Sequence, residues 1–262
     1  MQCDKCRNEA VFFQPSSGRH LCGRHLAADI GARAKRVIRS HRWMETGDHI
    51  TVVLSGDKQS AALLLFLQRM IADRRDIRLS AVPAGDRDAG GGGSSAPLGV
   101  AESLRVPCIK MPWPGEPGSA GGDRPTKIAL AFTLDDIARE VLVQFLSGNA
   151  EKLVHPPVAG RGGIPVICPF IAIPSEELDI YWDREGTKID LVPSTPVQDP
   201  LSRDVETLLN DYHHRHPATR FALLNLTEEL SGGNVAGIAA AAYGQNRVES
   251  RRDPGEVPCN GA

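Results

Sequence analysis

The sequence has no long apolar run, no apolar leader and no internal repeat. No stretch of the 262 residues approaches the roughly 20 apolar residues that a membrane-spanning helix needs. The chain begins Met-Gln-Cys-Asp-Lys, which lacks the apolar core of a signal peptide. We therefore expect a cytoplasmic protein that does not bind a membrane.

Cysteine is too sparse for a disulfide framework. The chain has six cysteines, and three of them precede residue 23. Clustering of this kind in a chain of this length is typical of a metal site rather than of disulfide bonds. The hydrophobic fraction of 41% supports a packed core, and the length suits one α/β domain with a small appendage.

Positive charge is concentrated at the N-terminal end. Residues 1–42 hold nine Lys and Arg against three acids, although the net charge of the whole chain is only −2. A basic segment on an otherwise acidic chain suggests that this segment meets a polyanion. The alternative, favoured for a charge run taken alone, is a solvated helix face.

The N-terminal cysteines belong to a spaced set of four metal ligands. Two residues separate the members of each pair, and 15 residues separate the pairs. A two-residue spacing allows both members of a pair to bind one tetrahedral Zn²⁺, and so small a unit needs a metal in order to fold. His20 is an alternative ligand that suits the second pair less well. We predict a closed, structural zinc site formed by Cys3, Cys6, Cys22 and His25.

A second informative stretch follows the basic segment. The β-branched run at residues 50–53 ends in a Ser-Gly turn, and an apolar-faced segment begins directly after it. A strand, a tight loop and a helix start in this order direct backbone N–H groups and the positive end of a helix dipole at an anion. Residues 55–60 therefore predict a phosphate-binding loop.

The rest of the chain alternates between strand and helix patterns. Strands are predicted at 50–53, 77–82 and 127–132, with a candidate at 166–173. This alternation favours a parallel sheet covered on both faces, that is, an α/β fold. We expect helices at 27–43, 61–72, 134–145, 175–182 and 202–214, and loops at 86–99, 112–125 and 155–165.

Four units are expected along the chain. Residues 1–26 form the zinc knuckle, and residues 27–43 form a basic connecting helix. Residues 44–230 form the α/β domain, and residues 231–262 form an Ala/Gly segment and a polar tail.

Residues 55–60, Ser-Gly-Asp-Lys-Gln-Ser, resemble the PP-loop of the ATP pyrophosphatases. With the N-terminal knuckle and the basic helix, the chain resembles the tRNA 2-thiolation proteins of the TtuA type. Leu-Asp-Asp at 134–136 and the segments 168–177 and 202–224 are similar to further segments of that family, in the same order. The likeness covers about residues 1–230.

The resemblance implies a Rossmann-like fold of the adenine nucleotide alpha hydrolase type. It implies ATP-dependent adenylation of a tRNA uridine, followed by displacement of AMP by sulfur. It also implies Mg²⁺ with the ATP, a sulfur-carrier partner and a homodimer. Asp135 and Asp136 would bind the metal, although capping of a helix explains them equally well. The implied ATP-binding residues are Ser55, Gly56, Asp57, Lys58, Ser60, Asp135 and Asp136, and the implied RNA-binding residues are Arg19, Arg24, Arg33, Lys35, Arg36, Arg39 and Arg42.

Two positions of the loop depart from the family pattern. Asp57 replaces a glycine and places a carboxylate beside the phosphates. A like-charge pair at ~4 Å costs about 4 kcal/mol at an effective dielectric constant near 20, which Mg²⁺ or Lys58 would offset. Gln59 replaces an acidic residue. We therefore expect impaired ATP binding.

The cysteines of the family cannot be aligned with this chain. Cys108 alone lies near the position of one expected pair, Cys259 alone lies near the C-terminus, and Cys168 has the apolar neighbours of a buried thiol. Three thiolates are needed to hold a cluster, so we expect no stable iron–sulfur cluster and assign no catalytic residue.

Three functions fit these observations. The first is an impaired ATP-dependent tRNA sulfurtransferase. The second is a non-catalytic relative that binds RNA or a protein partner. The third is a nucleotide-binding protein with another acceptor. Fold alone does not distinguish them.

Overall fold

The N-terminal segment folds as a small hairpin joined to a long helix. The computed structural model describes residues 1–84, 96–109, 124–156, 164–189, 191, 199–213 and 215–249. Strands β1 (Phe12–Gln14) and β2 (Arg19–Leu21) pair antiparallel, and helix α1 (Gly23–Ser40) follows directly. The turn between the strands contains Gly18 at φ +66°, a conformation that favours glycine.

A parallel four-stranded sheet forms the centre of the chain. Its strands are β3 (His49–Leu54), β4 (Arg78–Pro83), β5 (Lys127–Ala129) and β6 (Val166–Ile167), in the spatial order β4-β3-β5-β6. All three pairings are parallel. Every residue of β3 is buried, which suits its mainly β-branched and apolar composition. The predicted α/β fold with a parallel sheet is confirmed.

Helices cover both faces of the sheet. They are α2 (Lys58–Met70), α3 (Ala96–Ser103), α4 (Leu134–Leu146), α5 (Glu151–Val154), α6 (Ser175–Glu185), α7 (Pro200–His213), α8 (Thr219–Leu230) and α9 (Val235–Glu249). One core lies between the sheet and helices α1, α2 and α6, and a second lies between the sheet and helices α4, α8 and α9. Among the described residues, no helix is long and apolar enough to cross a membrane.

The described residues differ from the predicted elements in several places. Helices α5 and α8 were not predicted, and strand β5 ends at Ala129 rather than at residue 132. The strand candidate at 166–173 ends at Ile167, because Pro169 lacks the N–H that a strand ladder requires. Helix α3 begins at Ala96, inside the predicted loop 86–99. The Ala/Gly segment contains helix α9, since alanine is the strongest helix former. Residues 85–95, 110–123, 157–163 and 250–262, and with them Cys259, lie outside the described residues.

The strand order defines where a ligand would bind. Strand β3 has β4 on one side and β5 on the other. The chain therefore adds successive strands in one direction up to β4 and in the opposite direction from β5 onwards, and the order reverses at β3. In open parallel sheets, ligands bind in the crevice outside the carboxyl ends of the strands at such a switch point. The loop after β3 and the start of α4, which follows β5, flank this crevice.

Candidate metal centre and nucleotide site

The four predicted metal ligands converge. Their ligand atoms all lie within 4.8 Å of one another. The Sγ atoms of Cys6 and Cys22 are 3.7 Å apart, and His25 Nδ1 is 3.3 Å from Cys3 Sγ and 3.4 Å from Cys22 Sγ. Sulfurs that share one tetrahedral Zn²⁺ at about 2.3 Å lie about 3.8 Å apart. The group therefore has the dimensions of a site for a single ion.

Local backbone structure brings the two ligand pairs together. Cys6 N–H donates to Cys3 O in a tight turn, and Cys22 is the N-cap of α1, which places His25 in the first helical turn. Burial raises the pKa of the Cys3 thiol, but backbone hydrogen bonds and the His25 and Cys22 side chains lower it to about 6. The thiolate is the form of cysteine that binds a metal.

The predicted phosphate-binding loop contains a carboxylate of its own, that of Asp57. Gly56 has φ +90°, and Asp57 is the N-cap of helix α2. Asp57 Oδ1 accepts from the backbone N–H of Ser60 at 2.8 Å, and its Oδ2 accepts from Ser55 Oγ at 2.7 Å. Both groups are donors that the resemblance assigns to ATP phosphates. The carboxylate of Asp57 therefore engages two of the groups that are predicted to bind phosphate.

Helix α6 holds the other side of the loop. Lys58 Nζ lies 2.8 Å from Asp183 Oδ1, and Gln59 Nε2 donates to Asp179 Oδ1 at 2.8 Å. Burial raises the pKa of Asp179 to about 6, and the nearby acids add to this effect whereas Lys58 opposes it. The loop thus faces two carboxylates of α6, and its one lysine is engaged with them.

The raised pKa of Asp179 leads to a pH-dependent prediction. The folded protein holds the proton of Asp179 up to about pH 6, whereas the ordinary value is 3.8. The unfolded chain releases this proton at a lower pH than the folded protein does. The contribution of Asp179 to the free energy of unfolding therefore falls as the pH rises from about 4 to about 6. We expect Asp179→Asn to raise Tm at about pH 7.5 and to have little effect at about pH 4, measured by thermal melts.

The control for this prediction is Asp183→Asn on the same helix. Asp183 is more exposed and pairs with Lys58, so its substitution removes an ion pair and should give no gain in Tm at either pH. Equal gains from Asp179→Asn at both pH values would contradict the assigned cause.

Asp135 and Asp136 are paired within the protein. Asp136 forms a capping box with Thr133 at the start of α4, and its Oδ1 lies 2.8 Å from the guanidinium of Arg139. Asp135 Oδ2 accepts from the backbone N–H of Ser175 at 2.6 Å, and its Oδ1 lies 2.9 Å from Arg220. Asp136 therefore caps α4, and Asp135 connects α4 to the start of α6. A role in binding Mg²⁺ stays a prediction.

A cleft surrounded mainly by charged and polar residues opens beside Asp135. It has a volume of about 330 Å³ and lies between the starts of α4 and α6 and helices α7 and α8. The sequence predicted α7 as a helix but gave no sign that it lines a cleft. The charged and polar residues around the cleft include Arg139, Glu176, Glu206, Asn210, His213 and Arg220.

Six of the seven predicted RNA-contacting residues are exposed, and Arg33 differs. Its guanidinium lies 3.0 Å from Asp29, forms an ion pair with Glu177 and donates to the backbone oxygen of Ala172 at 3.3 Å. Arg33 is engaged in contacts within the protein and is only partly exposed. The exposed residues are Arg19, Arg24, Lys35, Arg36, Arg39 and Arg42.

Arg33 belongs to a polar network that sequence reasoning missed. Gln14 Nε2 donates to Asp29 at 3.2 Å and to Glu177 Oε1 at 3.1 Å, so the hairpin, α1 and α6 meet at one carboxylate. Glu177 is only 1% exposed. Burial raises the pKa of Glu177, with Arg33 and Gln14 acting in the opposite direction. The i, i+4 spacing of Asp29 and Arg33 was the one local signal for this network.

Several known proteins resemble this chain in sequence or in fold. Residues 2–27 match the family model of the N-terminal LIM domain of the 2-thiouridine synthetase TtuA. The tRNA 2-thiolation protein NcsA of Haloferax volcanii is 23% identical over 301 residues, covering 95% of this chain and 91% of that protein. A probable sulfurtransferase of Methanocaldococcus jannaschii is 22% identical over 264 residues, covering 86% of this chain and 77% of that protein. The solved U34-tRNA thiolase NcsA from Methanococcus maripaludis superposes with a TM-score of 0.72 at 16% identity, covering 88% of this chain and 87% of that one.

The chain is a relative of the TtuA- and NcsA-type tRNA 2-thiolation proteins. The match at residues 2–27 contains all four ligands of the N-terminal metal group. The likeness to the solved NcsA covers 88% of this chain, so the two proteins share a fold.

One expectation is wrong. We expected no stable iron–sulfur cluster because the cysteines of the family could not be aligned, but the solved NcsA is described with its [4Fe-4S] cluster. At 16% identity, matching short segments cannot place cluster ligands. In this chain Cys108 is exposed, and its backbone pairs with Ala81 of β4 in an isolated parallel β-bridge. Cys168 is buried, which raises the pKa of its thiol far above the ordinary value.

Proposed function

We propose that this protein acts on tRNA by the chemistry of its lineage, with a weakened adenylation step. Adenylation of a uridine by ATP would precede sulfur transfer. The observation that supports the weakening is the Asp57 carboxylate, which holds the Ser60 N–H and the Ser55 hydroxyl that phosphate would otherwise use. Lys58, the cation of the loop, is paired with Asp183.

An incoming nucleotide would have to displace these internal contacts. Triphosphate and the Asp57 carboxylate repel each other, and α6 adds Asp179 and Asp183 on the same side. Mg²⁺ brought in with ATP would reduce this repulsion. The contacts therefore favour weak ATP binding over complete loss.

Calorimetry with ATP and Mg²⁺ tests this function. We expect weak binding to the wild-type protein and binding at least about tenfold tighter to Asp57→Gly, because the variant removes a charge and a competing cap. Glycine is a tolerable N-cap, so the helix should lose only a few tenths of a kcal/mol. Tight wild-type binding with no gain in the variant would overturn the assigned role of Asp57.

Asp57→Asn is the matched control. Asparagine caps a helix as well as aspartate, so the variant keeps the cap and removes only the charge. A gain in ATP affinity close to that of Asp57→Gly would identify charge as the main obstacle. A gain in ATP affinity that occurs only in Asp57→Gly would instead identify the bulk of the side chain as the main obstacle to ATP binding.

The N-terminal unit supplies the second part of the proposal. A structural zinc ion held by the Cys/His group would fix the hairpin against α1, and the exposed basic residues beside it would contact the phosphates of tRNA. The support comes from the 3.7 Å separation of two of the sulfurs and from the donor set of three thiolates and one imidazole.

A non-catalytic RNA-binding relative is the second candidate. The Lys58–Asp183 pair and the Asp57 cap favour it, since both engage groups of the loop. Incubation with tRNA and ATP distinguishes the candidates. Release of pyrophosphate that depends on tRNA supports the enzyme, release without tRNA supports another acceptor, and tRNA binding without pyrophosphate release supports the non-catalytic protein. A sulfur-carrier protein and a second copy of the chain remain partners that only the resemblance implies.

A further inference from the structure

Helix α6 holds two consecutive side chains at the end of the phosphate-binding loop. Lys58 Nζ contacts both carboxylate oxygens of Asp183, at 2.8 Å and 2.9 Å. Gln59 Nε2 donates to Asp179 Oδ1 at 2.8 Å. The two carboxylates are four residues apart on α6, so one face of this helix binds the start of α2 in two places.

The two contacts differ in their exposure to solvent. The side chain of Lys58 is 37% exposed and that of Asp183 is 56% exposed. An ion pair in such a position contributes little to stability and can exchange for another partner. Asp179 is half-buried, and its partner Gln59 is buried. An entering anion can therefore take Lys58 from Asp183, whereas Asp179 remains beside the loop.

The charge of Asp179 depends on pH within a mild range. Burial raises its pKa to about 6, whereas Lys58 acts to lower it. The other charged groups that act on Asp179 all raise its pKa, and they are Asp183, Asp57 and Glu176. Helix α1 also packs against α6, but its Arg33 pairs with Glu177 there. Protonation of Asp179 therefore removes one negative charge from a group of acids beside the loop.

We propose that α6 is a pH-sensitive latch on the phosphate-binding loop, in which Asp183 holds Lys58 and the charge of Asp179 repels anions until Asp179 is protonated. This inference rests on the proposed nucleotide binding and specifies how that binding is regulated. When Asp179 is neutral, Lys58 is attracted to α6 by one carboxylate fewer, and a phosphate group meets one like charge fewer. Transfer of Lys58 from Asp183 to phosphate is then more favourable.

Calorimetry with ATP and Mg²⁺ at about pH 7.5 and about pH 5.5 tests the latch on the full-length, zinc-loaded protein. We expect Asp179→Asn to bind ATP about 3- to 10-fold tighter than the wild type at about pH 7.5, because the variant removes the repelling charge. At about pH 5.5 the gain should fall below about twofold, since most of the wild-type Asp179 is then protonated. ATP itself titrates identically in both experiments, so the ratio of the two affinities isolates Asp179.

A second variant tests the ion pair separately. Asp183→Asn should tighten ATP binding by up to about fivefold at both pH values, because it releases Lys58 whatever the charge of Asp179. The matched control is Glu185→Gln on the same helix. Glu185 pairs with Arg69 at the other end of α2, so its substitution should leave ATP affinity unchanged. Thermal melts at both pH values confirm that each variant is folded.

The outcomes separate this inference from the proposed function. Absence of ATP binding in the wild type and in all variants, including Asp57→Gly, would overturn both. ATP binding that Asp179→Asn leaves unchanged at about pH 7.5, or strengthens equally at both pH values, would overturn the latch alone. A gain from Glu185→Gln equal to that from Asp183→Asn would also overturn it, since any acid of α6 would then act in the same way.

Discussion

Replacing Cys3 and Cys6 by serine should remove about one zinc ion per chain and unfold the N-terminal unit. The two thiolates supply half of the ligand group, and a structural zinc ion contributes about 10–16 kcal/mol of apparent binding energy in units of this size. The hairpin has only three residues in each strand. We therefore expect the unit to lose its fold together with its metal.

Metal analysis of the purified protein is the direct measurement. The same analysis should quantify zinc and iron, because iron bound by this group would contradict the assignment of zinc. Cys108→Ser is the control, since Cys108 is exposed and lies outside the ligand group. Its zinc content should equal that of the wild type. Unchanged zinc in the Cys3→Ser/Cys6→Ser variant would refute the site.

Loss of the metal should also weaken the contact between the hairpin and α6. Gln14 is the residue of β1 that donates to Glu177, and it does so only while the hairpin is folded. Without it, one oxygen of a buried carboxylate loses a hydrogen bond, which costs about 1–3 kcal/mol. The Cys3→Ser/Cys6→Ser variant should therefore melt at a lower temperature throughout the α/β domain.

Features fixed by local spacing could be predicted from the sequence. The pairs Cys3/Cys6 and Cys22/His25 need only a turn and a helix start, and the loop after β3 needs only a strand followed by a helix. Strand β6 was predicted too long because its end depends on one proline. Helix α9 was missed because its Ala/Gly composition is weakly patterned, although alanine favours helix.

Features that depend on distant partners could not be predicted. Arg33 looks like its exposed neighbours in the sequence, but its partner Glu177 lies 144 residues away. Asp57 was predicted to repel phosphate, and in the structure it caps helix α2 and accepts hydrogen bonds from the Ser55 hydroxyl and the backbone N–H of Ser60. For Arg33 the missing information was the position of a second element, α6, whereas the partners of Asp57 lie within three residues of it.

Replacing Arg33 by alanine should give the second large effect, a loss of about 3–5 kcal/mol in the free energy of unfolding. The variant removes the cation that faces Glu177, a carboxylate that is 1% exposed, and leaves a buried charge with Asp29 close by. For a chain of this size the loss corresponds to a Tm lower by on the order of 10 °C. Thermal and urea melts measure it.

The pH dependence of this loss identifies its cause. Without Arg33 the pKa of Glu177 should rise further, because burial raises this pKa and Arg33 is the main group that lowers it. Between the pKa of Glu177 in the unfolded chain and its higher pKa in the folded variant, the unfolded chain binds fewer protons than the folded one. The free energy of unfolding therefore falls as the pH rises. The decrease in Tm should therefore be larger at about pH 8 than at about pH 5.

A double variant and an exposed control complete the test. Glu177→Gln in the Arg33→Ala background removes the unpaired charge and should restore part of the lost stability, with no remaining pH dependence from this site. Arg36→Ala removes the same side-chain type from the exposed face of α1 and should change the free energy of unfolding by less than about 0.5 kcal/mol. Equal losses from Arg33→Ala and Arg36→Ala would mean that the network contributes no stability, and Arg33 would then return to the set of residues available to RNA.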